Sequence, residues 1–162
     1  MKHDKQKIDW DNLGFAPLPT RSMWKGDCST GEDWSTGGLI PYGNISLSPA
    51  ACVLNYGQGI FEGLKAYQTA KDRVVLFRPN KNAARMKKST ERMCIPVMND
   101  DYFMKAVVST VKDNMDFIPP FGKGSMYIRP ICFGTSKAIA VQAATEYVFM
   151  VFASPVGPYF KV

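Results

Sequence analysis

Apolar residues recur along this chain with two different periods, and the periods predict its helices and strands. Over residues 81–93 and 101–116, apolar side chains return every three or four positions, which is the spacing of a helix with one buried face. In the first segment the apolar face is formed by Ala83, Met86, Thr90 and Met93, and the other side carries Lys81, Arg85, Lys88 and Arg92. Asn80 is expected to cap the first helix, and Asn99 or Asp100 the second.

The strand predictions rest on shorter apolar and β-branched runs. Residues 60–68 and 74–78 flank a polar turn, so they are expected to pair as a hairpin. Residues 125–133 and 146–153 are predicted as two further strands, and the second is nearly all apolar, which is typical of a strand buried on both faces. Residues 44–47 are another candidate strand. Helices and strands in this order predict an α+β fold, with helices packed on a largely antiparallel sheet.

Glycine and proline mark the segments where less regular structure is expected. Residues 16–39 contain several of both and are predicted to be mostly loop with a short strand. In NYGQGIFEGLKAY, residues 55–67, Gly57, Gly59 and Gly63 interrupt a run of large side chains. Glycine at this density is typical of a kinked strand that turns a corner, or of a backbone that lies close to a ligand or another chain. The residues alone leave both interpretations open.

Composition indicates the class of protein but not its ligand. A chain of 162 residues with 46% hydrophobic and 21% charged residues is typical of one globular domain. The net charge of +6 permits binding to nucleic acid, anionic lipid or a small phosphate and selects none of them. No nucleic-acid-binding motif is present, so a basic nucleic-acid module is supported by charge alone. The four cysteines are far apart and the single histidine, His3, lies in a polar segment, so no metal site is predicted.

The N-terminal residues bear on location. The sequence MKHDKQKIDWDN is charged and has neither the apolar core of a secretory signal nor the Arg- and Ser-rich pattern of a transit peptide. No run approaches the ~18 apolar residues that a membrane-spanning helix needs. A cytoplasmic protein without membrane contact is therefore expected.

Five segments carry a resemblance to a known family. They are DWDNLGF (9–15), IPYGNISLSPAACVLNYGQGIFEGLKAY (40–67), LFRPNKNAARM (76–86), GKGSMYIRP (122–130) and SPVGPYFK (154–161). In order and spacing they resemble the small, N-terminal domain of the branched-chain amino-acid aminotransferases, most closely the plant members. The resemblance implies fold type IV and the cofactor pyridoxal 5'-phosphate (PLP). It also implies transfer of amino groups between leucine, isoleucine or valine and 2-oxoglutarate.

Arg85 is the candidate for binding the cofactor. From the residues alone, Arg85 is one of several solvated bases on a helix, although a guanidinium can also bind a phosphate through two parallel hydrogen bonds. In the resembled family, the arginine at this place in the NAARM motif contacts the PLP phosphate. The resemblance therefore implies the same role for Arg85.

Tyr127 and Arg129 are candidates for binding the substrate. Residues two apart on a strand point to the same face, and a phenol beside a guanidinium suits a carboxylate. The alternative is an arginine at a strand end that donates to backbone carbonyls, with a half-buried tyrosine. The resemblance implies that both residues recognise the carboxylate of the amino or oxo acid.

Phe15, Tyr56 and Phe61 are the candidate pocket aromatics. Each of them alone is as compatible with a core position, but aromatic rings that close an apolar pocket favour aliphatic substrate side chains over polar ones. The resemblance implies that all three line the substrate pocket. It also implies a homodimer, in which Tyr56 reaches the site of the partner subunit.

The resemblance also implies what the site needs from elsewhere. In the family, the lysine that binds PLP covalently and the acid that pairs with its pyridine nitrogen lie in a second, larger domain. No lysine here matches the family's cofactor lysine, so no catalytic residue is assigned. The expected organisation is a disordered tail at residues 1–8, the small domain at 9–156, and the start of an interdomain linker at 157–162. In the connector between the last two strands, Ser136 and Ala140 replace glycines usual in the plant proteins, so a changed loop is expected.

Two hypotheses for function remain open at this point. In the first, the chain is the small domain of a branched-chain aminotransferase and is active only with the large domain. In the second, it is a truncated, non-catalytic paralogue that binds full-length aminotransferase subunits.

Overall fold

The computed structural model describes residues 8–158. The tail predicted over residues 1–8 and the linker predicted over 157–162 lie, except for residues 8, 157 and 158, outside the described part. The strands are β1 (Ser22–Ser29), β2 (Gly38–Pro41), β3 (Gly59–Phe61), β4 (Leu64–Gln68), β5 (Val74–Leu76), β6 (Ser125–Gly134) and β7 (Glu146–Val156). The helices are α1 (Cys52–Tyr56), α2 (Pro79–Arg92) and α3 (Asp100–Asp113), and a 3₁₀ turn follows at Met115–Phe117.

The strands form one sheet in which neighbouring strands are antiparallel. Their order is β2-β1-β7-β6-β4-β5. β3 also pairs with β6, so β3 and β4 lie one after the other along the same side of that strand. The α+β fold with a largely antiparallel sheet, predicted from the sequence, is therefore confirmed, as is the β4–β5 hairpin.

α2 and α3 cover one face of the sheet because each helix has one apolar side. In α2, Ala83, Met86 and Thr90 are buried, while the basic residues of the other side are exposed. In α3, Phe103 is buried, and its ring lies 6.1 Å from that of Phe149 on β7. The two amphipathic helices predicted from the three-to-four spacing are confirmed, and they bury the main core between themselves and the sheet.

One strand prediction is wrong, and one is made more specific. Residues 16–39 are mostly loop with a strand, as predicted, and that strand is β1, which pairs with β7 on one side and β2 on the other. Its Gly26 is required by packing rather than by a turn, because the Tyr102 hydroxyl occupies the space that a Cβ would need. Residues 44–47 belong to no strand, since the neighbour of β1 is β2 instead.

The start of α2 also differs from the prediction. Asn80 does not cap the helix but lies within it, because the helix begins at Pro79 and not at residue 81 as predicted. Proline is favoured at the first helical position because its missing N–H would have no partner there. The residue before it, Arg78, takes a left-handed conformation with φ of 48° and supplies no side-chain cap. The cap of α3 is Asn99, whose side chain accepts the Tyr102 backbone N–H at 2.7 Å.

The single strand predicted over residues 60–68 is divided into β3 and β4 by Glu62 and Gly63. Opposite the division lies Pro130 of β6, which has no N–H and cannot complete the ladder of hydrogen bonds. Its carbonyl still accepts the Glu62 backbone N–H at 2.9 Å. The break therefore falls where the neighbouring strand lacks a donor. At the break, the Glu62 side chain accepts hydrogen bonds from Asn82 and Arg85 of α2.

Asn114, at the end of α3, joins the helix to β1. Its side-chain oxygen accepts the backbone N–H groups of Arg21 at 2.8 Å and Ser22 at 3.1 Å. Its side-chain nitrogen donates to the carbonyls of Ser22 at 3.0 Å and Thr110 at 2.8 Å. The residue is fully buried, so these groups depend on one another for their hydrogen bonds.

Replacing Asn114 should therefore destabilise the fold. Asn114→Ala leaves buried backbone groups without partners, and we expect the free energy of unfolding to fall by about 1–3 kcal/mol. Urea denaturation followed by circular dichroism measures the change. Lys112→Ala, at an exposed position on the same turn, is the control and should shift the value by less than about 0.5 kcal/mol. Equal effects of the two variants would contradict the assignment.

The four cysteines should differ sharply in reactivity. Cys94 is exposed, while Cys28, Cys52 and Cys132 are buried, and burial raises the pKa of the Cys28 and Cys132 thiols. Because the thiolate is the reactive form, a soluble thiol reagent should label Cys94 first in the native chain. Mass spectrometry after brief labelling identifies the site. A rapid phase that survives in Cys94→Ser would show that one of the buried thiols is accessible.

Candidate functional site

Tyr127 and Arg129 lie side by side on β6, on the sheet face away from α2 and α3. An Nη2 hydrogen of Arg129 is donated to the Tyr127 hydroxyl oxygen at 2.7 Å. The Arg129 Nε is buried and has no hydrogen-bond partner among the described residues. The Tyr127 hydroxyl hydrogen is free to be donated outward, because its oxygen already accepts from Arg129. The pair therefore presents donors without an acceptor, which is the arrangement that a carboxylate would complete.

Aromatic rings hold this pair in place. The Arg129 guanidinium carbon lies 4.3 Å from the centre of the Phe61 ring and 5.2 Å from that of Tyr127. The Phe15 ring meets the Tyr127 ring edge-on, with centres 6.4 Å apart. Such contacts are favourable and orient both the arginine and the phenol.

The pair opens into a cavity of about 550 Å³. The residues lining this cavity, which we call the carboxylate cavity, are Phe15, Pro17, Lys65, Tyr127, Arg129, Phe152, Ser154 and Val156. Part of the wall is apolar and part carries cationic and hydroxyl donors. A cavity of this kind fits a small molecule with a carboxylate at one end and an apolar group at the other.

Arg85 lies in a neighbouring cavity of about 470 Å³. The lining of this cavity, which we call the cationic cavity, includes the side chains of Lys65, Arg78, Lys81, Asn82 and Arg85 and the glycine Gly63. Its charged lining residues are all basic, so it attracts anions. Lys65 lines both cavities, so they are adjacent.

Arg85 is held by Glu62, the residue at the break between β3 and β4. Arg85 Nε donates to Glu62 Oε1 at 2.9 Å, and Arg85 Nη2 donates to Oε2 at 2.8 Å. Asn82, one turn earlier on α2, also donates to Oε2 at 2.8 Å. Hydrogen bonding to Glu62, together with its charge, raises the pKa of Arg85, so the guanidinium stays charged.

Two glycines of the 55–67 segment have identifiable roles. Gly57 ends α1 in the left-handed conformation, with φ of 66°. A Cβ at Gly63 would overlap the Tyr127 hydroxyl. The segment therefore includes both a helix end and a close approach to a polar side chain of the candidate site.

Tyr56 lies apart from both cavities. It is the last residue of α1, is partly exposed, and donates its hydroxyl hydrogen to the Ile139 carbonyl. The structure thus brings Phe15, Phe61, Tyr127 and Arg129 together and places Arg85 next to them. Tyr56 contacts the connector instead.

Ser136, which was expected to change the connector between β6 and β7, instead accepts hydrogen bonds that hold this connector in place. Ser136 is buried, its hydroxyl accepts the Thr145 N–H at 2.9 Å, and its carbonyl accepts the Cys52 N–H at 3.0 Å. Ala140 is exposed. Serine therefore has a structural use at position 136.

Sequence reasoning missed Glu62 and Lys65 as members of the site. Lys65 pairs directly with Tyr127 across β4 and β6, so the correct strand register would have identified it. Glu62 gave no such signal, because its partner Arg85 lies 23 positions away on a helix. Charge pairing across that separation cannot be inferred from periodicity.

The residues that the structure describes contain neither a membrane-spanning helix nor a cluster of metal-ligating side chains. No helix between residues 8 and 158 is both long and apolar enough to cross a membrane. Within the same residues, no cluster of three or more His, Cys, Asp or Glu side chains could hold a metal ion.

The chain is similar to plant aminotransferases over nearly its whole length. It is 53% identical over 154 residues to branched-chain amino acid aminotransferase 2, chloroplastic, of Humulus lupulus, covering 95% of this chain and 38% of that protein. It is 50% identical over 155 residues to branched-chain-amino-acid aminotransferase 5, chloroplastic, of Arabidopsis thaliana, covering 96% and 37%. It is 48% identical over 158 residues to branched-chain amino acid aminotransferase 1, mitochondrial, of Humulus lupulus, covering 98% and 40%. No family model matches the chain.

Solved structures agree with the fold. The branched-chain aminotransferase of Thermoproteus uzoniensis, solved with norvaline, matches with a TM-score of 0.69 and 25% identity over 88% of this chain and 43% of that one. The branched-chain aminotransferase of Thermobaculum terrenum, solved in its PLP form, matches with a TM-score of 0.62 and 19% identity over 85% and 40%. The chain therefore has the fold of the small domain of the fold type IV branched-chain aminotransferases.

The chain spans about two fifths of the length of the curated relatives it matches. The names of these relatives assign two to chloroplasts and one to mitochondria. These names describe the relatives, and the cytoplasmic location expected from the N-terminal residues of this chain stays a prediction.

The contact between Gly63 and Tyr127 can be tested by a pair of substitutions. Gly63→Ala should lower the melting temperature and move the Tyr127 ring, because its Cβ would overlap the hydroxyl. Adding Tyr127→Phe removes the overlapping oxygen and should restore part of the lost stability. Gly43→Ala, with no atom within 4 Å of the new Cβ, is the matched control. Additive effects in the double variant would contradict the contact.

Proposed function

Because this chain is a homologue of the branched-chain aminotransferases, we propose that it forms the substrate-binding small domain of such an enzyme. The observation that carries the proposal is the Tyr127–Arg129 pair, which presents unpaired donors in a partly apolar cavity. The adjacent cationic cavity supports it, because a phosphate-bearing cofactor needs such a lining. Both cavities are built largely from the segments that resemble the family's motifs.

The donor set of the cationic cavity fits the phosphate of PLP. Arg85, Lys81 and Arg78 are basic, and the cavity lies beside the N-terminal turns of α2, where backbone N–H groups favour an anion. PLP, when bound, supplies the electron-accepting ring that exchanges the amino group. The role of this chain would be to hold the phosphate through Arg85 and so fix the ring beside the carboxylate cavity.

Tyr127 and Arg129 would bind the carboxylate of the amino or oxo acid. The hydroxyl of Tyr127 is polarised by the Arg129 hydrogen bond, so it donates more strongly to an anion. Arg129 Nε supplies a second donor that the described residues leave unpaired. Phe15 and Phe61 would exclude water from one side of the bound acid and favour aliphatic side chains.

We extend the proposal to a homodimer. Ile139 and Val141 of the connector are 92% and 88% exposed, and the Ile139 carbonyl accepts the Tyr56 hydroxyl hydrogen. Large apolar side chains at this exposure are typical of a surface that another chain covers. Tyr56 would then contribute to the site of the partner subunit rather than to its own, which agrees with its position outside the carboxylate cavity.

A chimera tests the proposal directly. In the Humulus lupulus aminotransferase 2, the matching 38% of the protein is replaced by this chain, and transfer from leucine to 2-oxoglutarate is measured. We expect activity, and we expect Arg129→Lys to lower kcat/KM by about ten- to a hundred-fold, because lysine cannot reproduce the planar donors. Arg73→Lys, on the β4–β5 turn and outside both cavities, is the matched control and should have no effect.

The outcomes separate the proposal from its alternative. A chimera that folds and retains PLP yet transfers no amino group would contradict a substrate-binding role for this domain. Equal activity of the Arg129→Lys chimera would contradict the assignment of the carboxylate site. A chain that instead binds full-length subunits and lowers their activity would support the non-catalytic hypothesis.

A further inference from the structure

Glu62 is a buried, charged residue, and the function proposed above gives it no contact with cofactor or substrate. Its side chain is 10% exposed, whereas the side chain of its partner Arg85 is 58% exposed. Both of its carboxylate oxygens accept hydrogen bonds, from Arg85 and from Asn82. A carboxylate at such depth is unusual, because removing its charge from water costs free energy. Hydrogen bonds and an opposite charge from its partners must offset this cost.

The pairing leaves one edge of Arg85 exposed to the cavity. A guanidinium has five N–H donors in one plane, and Glu62 takes one from Nε and one from Nη2. The remaining donors lie on the two Nη atoms, on the edge away from Glu62. Since Arg85 lines the cationic cavity, this outer edge is the one available to an anion.

Glu62 also fixes where that edge points. Its backbone N–H is bonded to Pro130 in the central strand, and Asn82 is bonded to both Glu62 Oε2 and the Gly63 carbonyl at 3.1 Å. The carboxylate is thus tied to the sheet and to α2 at once. A long, exposed arginine would otherwise sample many rotamers, and ordering it on binding costs entropy.

Charge alone would argue against such a residue. A carboxylate next to a phosphate-binding arginine cancels its charge and weakens the attraction of an anion. The presence of Glu62 beside Arg85 is explained if the orientation of the Arg85 guanidinium matters more for anion binding than the net charge of the pair. Lys81 and Arg78, which line the same cavity, supply the attraction that the neutralised pair lacks.

We propose that Glu62 is the positioning residue of the phosphate site, acting through Arg85, which it holds side-on so that its outer edge faces the cationic cavity. This inference rests on the proposed function, in that it takes a phosphate as the ligand. It assigns Glu62 no contact with the ligand itself. It also explains the break between β3 and β4, which allows Glu62 to reach α2.

Two variants of Glu62 separate orientation from charge. Glu62→Gln removes the negative charge and one acceptor, and Glu62→Asp keeps the charge but shortens the reach. The affinity of the full chain for inorganic phosphate is measured by NMR titration at constant ionic strength. We expect both variants to bind phosphate about tenfold more weakly, the factor typical for loss of a hydrogen bond to a charged group. Glu91→Gln, an exposed position on α2, is the control for charge and should not weaken binding.

An electrostatic role predicts the opposite result. If Glu62 acts only by its charge, Glu62→Gln should bind phosphate more tightly and Glu62→Asp should be unchanged, and either result would overturn the proposal. In the Arg85→Ala background, Glu62→Gln should have no further effect, because Glu62 acts through Arg85. A further loss in that background, or no phosphate binding by the wild-type chain, would also overturn it.

A measurement on the wild-type chain does not depend on how well the variants fold. Because Glu62 keeps the Nε–H of Arg85, this hydrogen should stay protected from solvent exchange when phosphate binds, while the Nη signals shift. Loss of protection on binding would show that Arg85 leaves Glu62, contrary to the proposal. None of these titrations needs aminotransferase activity. The role of Glu62 can therefore be confirmed when the chimera is inactive and contradicted when the chimera is active.

Discussion

The structure depends on the hydrogen bonding of β6 along both of its sides. β6 pairs with β7 over all ten of its residues on one side, and with both β3 and β4 on the other. Because side chains alternate along a strand, this pairing fixes two faces at once. Met126, Ile128 and Cys132 enter the core under the helices, while Tyr127 and Arg129 face the carboxylate cavity.

Pro130 of β6 determines where the neighbouring strand is divided. Its missing N–H leaves one position of the ladder without a donor, and the strand beside it divides there into β3 and β4. Glu62, at the division, reaches Arg85 on α2, and the following glycine makes room for the Tyr127 hydroxyl. The two cavities are therefore linked by a short piece of backbone, in which each residue type has a steric or hydrogen-bonding reason.

The sequence predicts those features that depend on local periodicity. The faces of α2 and α3 follow from apolar spacing, and the proximity of Tyr127 to Arg129 follows from strand alternation. Features that depend on long-range contacts are not predicted. The position of β1 is not predicted because its Gly26 is typical of a loop. That glycine is explained only by the packing of Tyr102, which is distant in the sequence. Likewise, Lys65 requires the β4–β6 register, and the Glu62–Arg85 pair requires the position of α2 relative to the sheet.

In the function proposed above, one small domain carries two adjacent anion sites of different chemistry. NMR of the arginine side chains tests this most directly, with inorganic phosphate and 4-methyl-2-oxopentanoate, the 2-oxo acid of leucine, as separate ligands. We expect phosphate to shift the Arg85 signals first and the oxo acid to shift those of Arg129 first. If both ligands shift the same arginine, or neither shifts either one, the division into a phosphate site and a carboxylate site is contradicted.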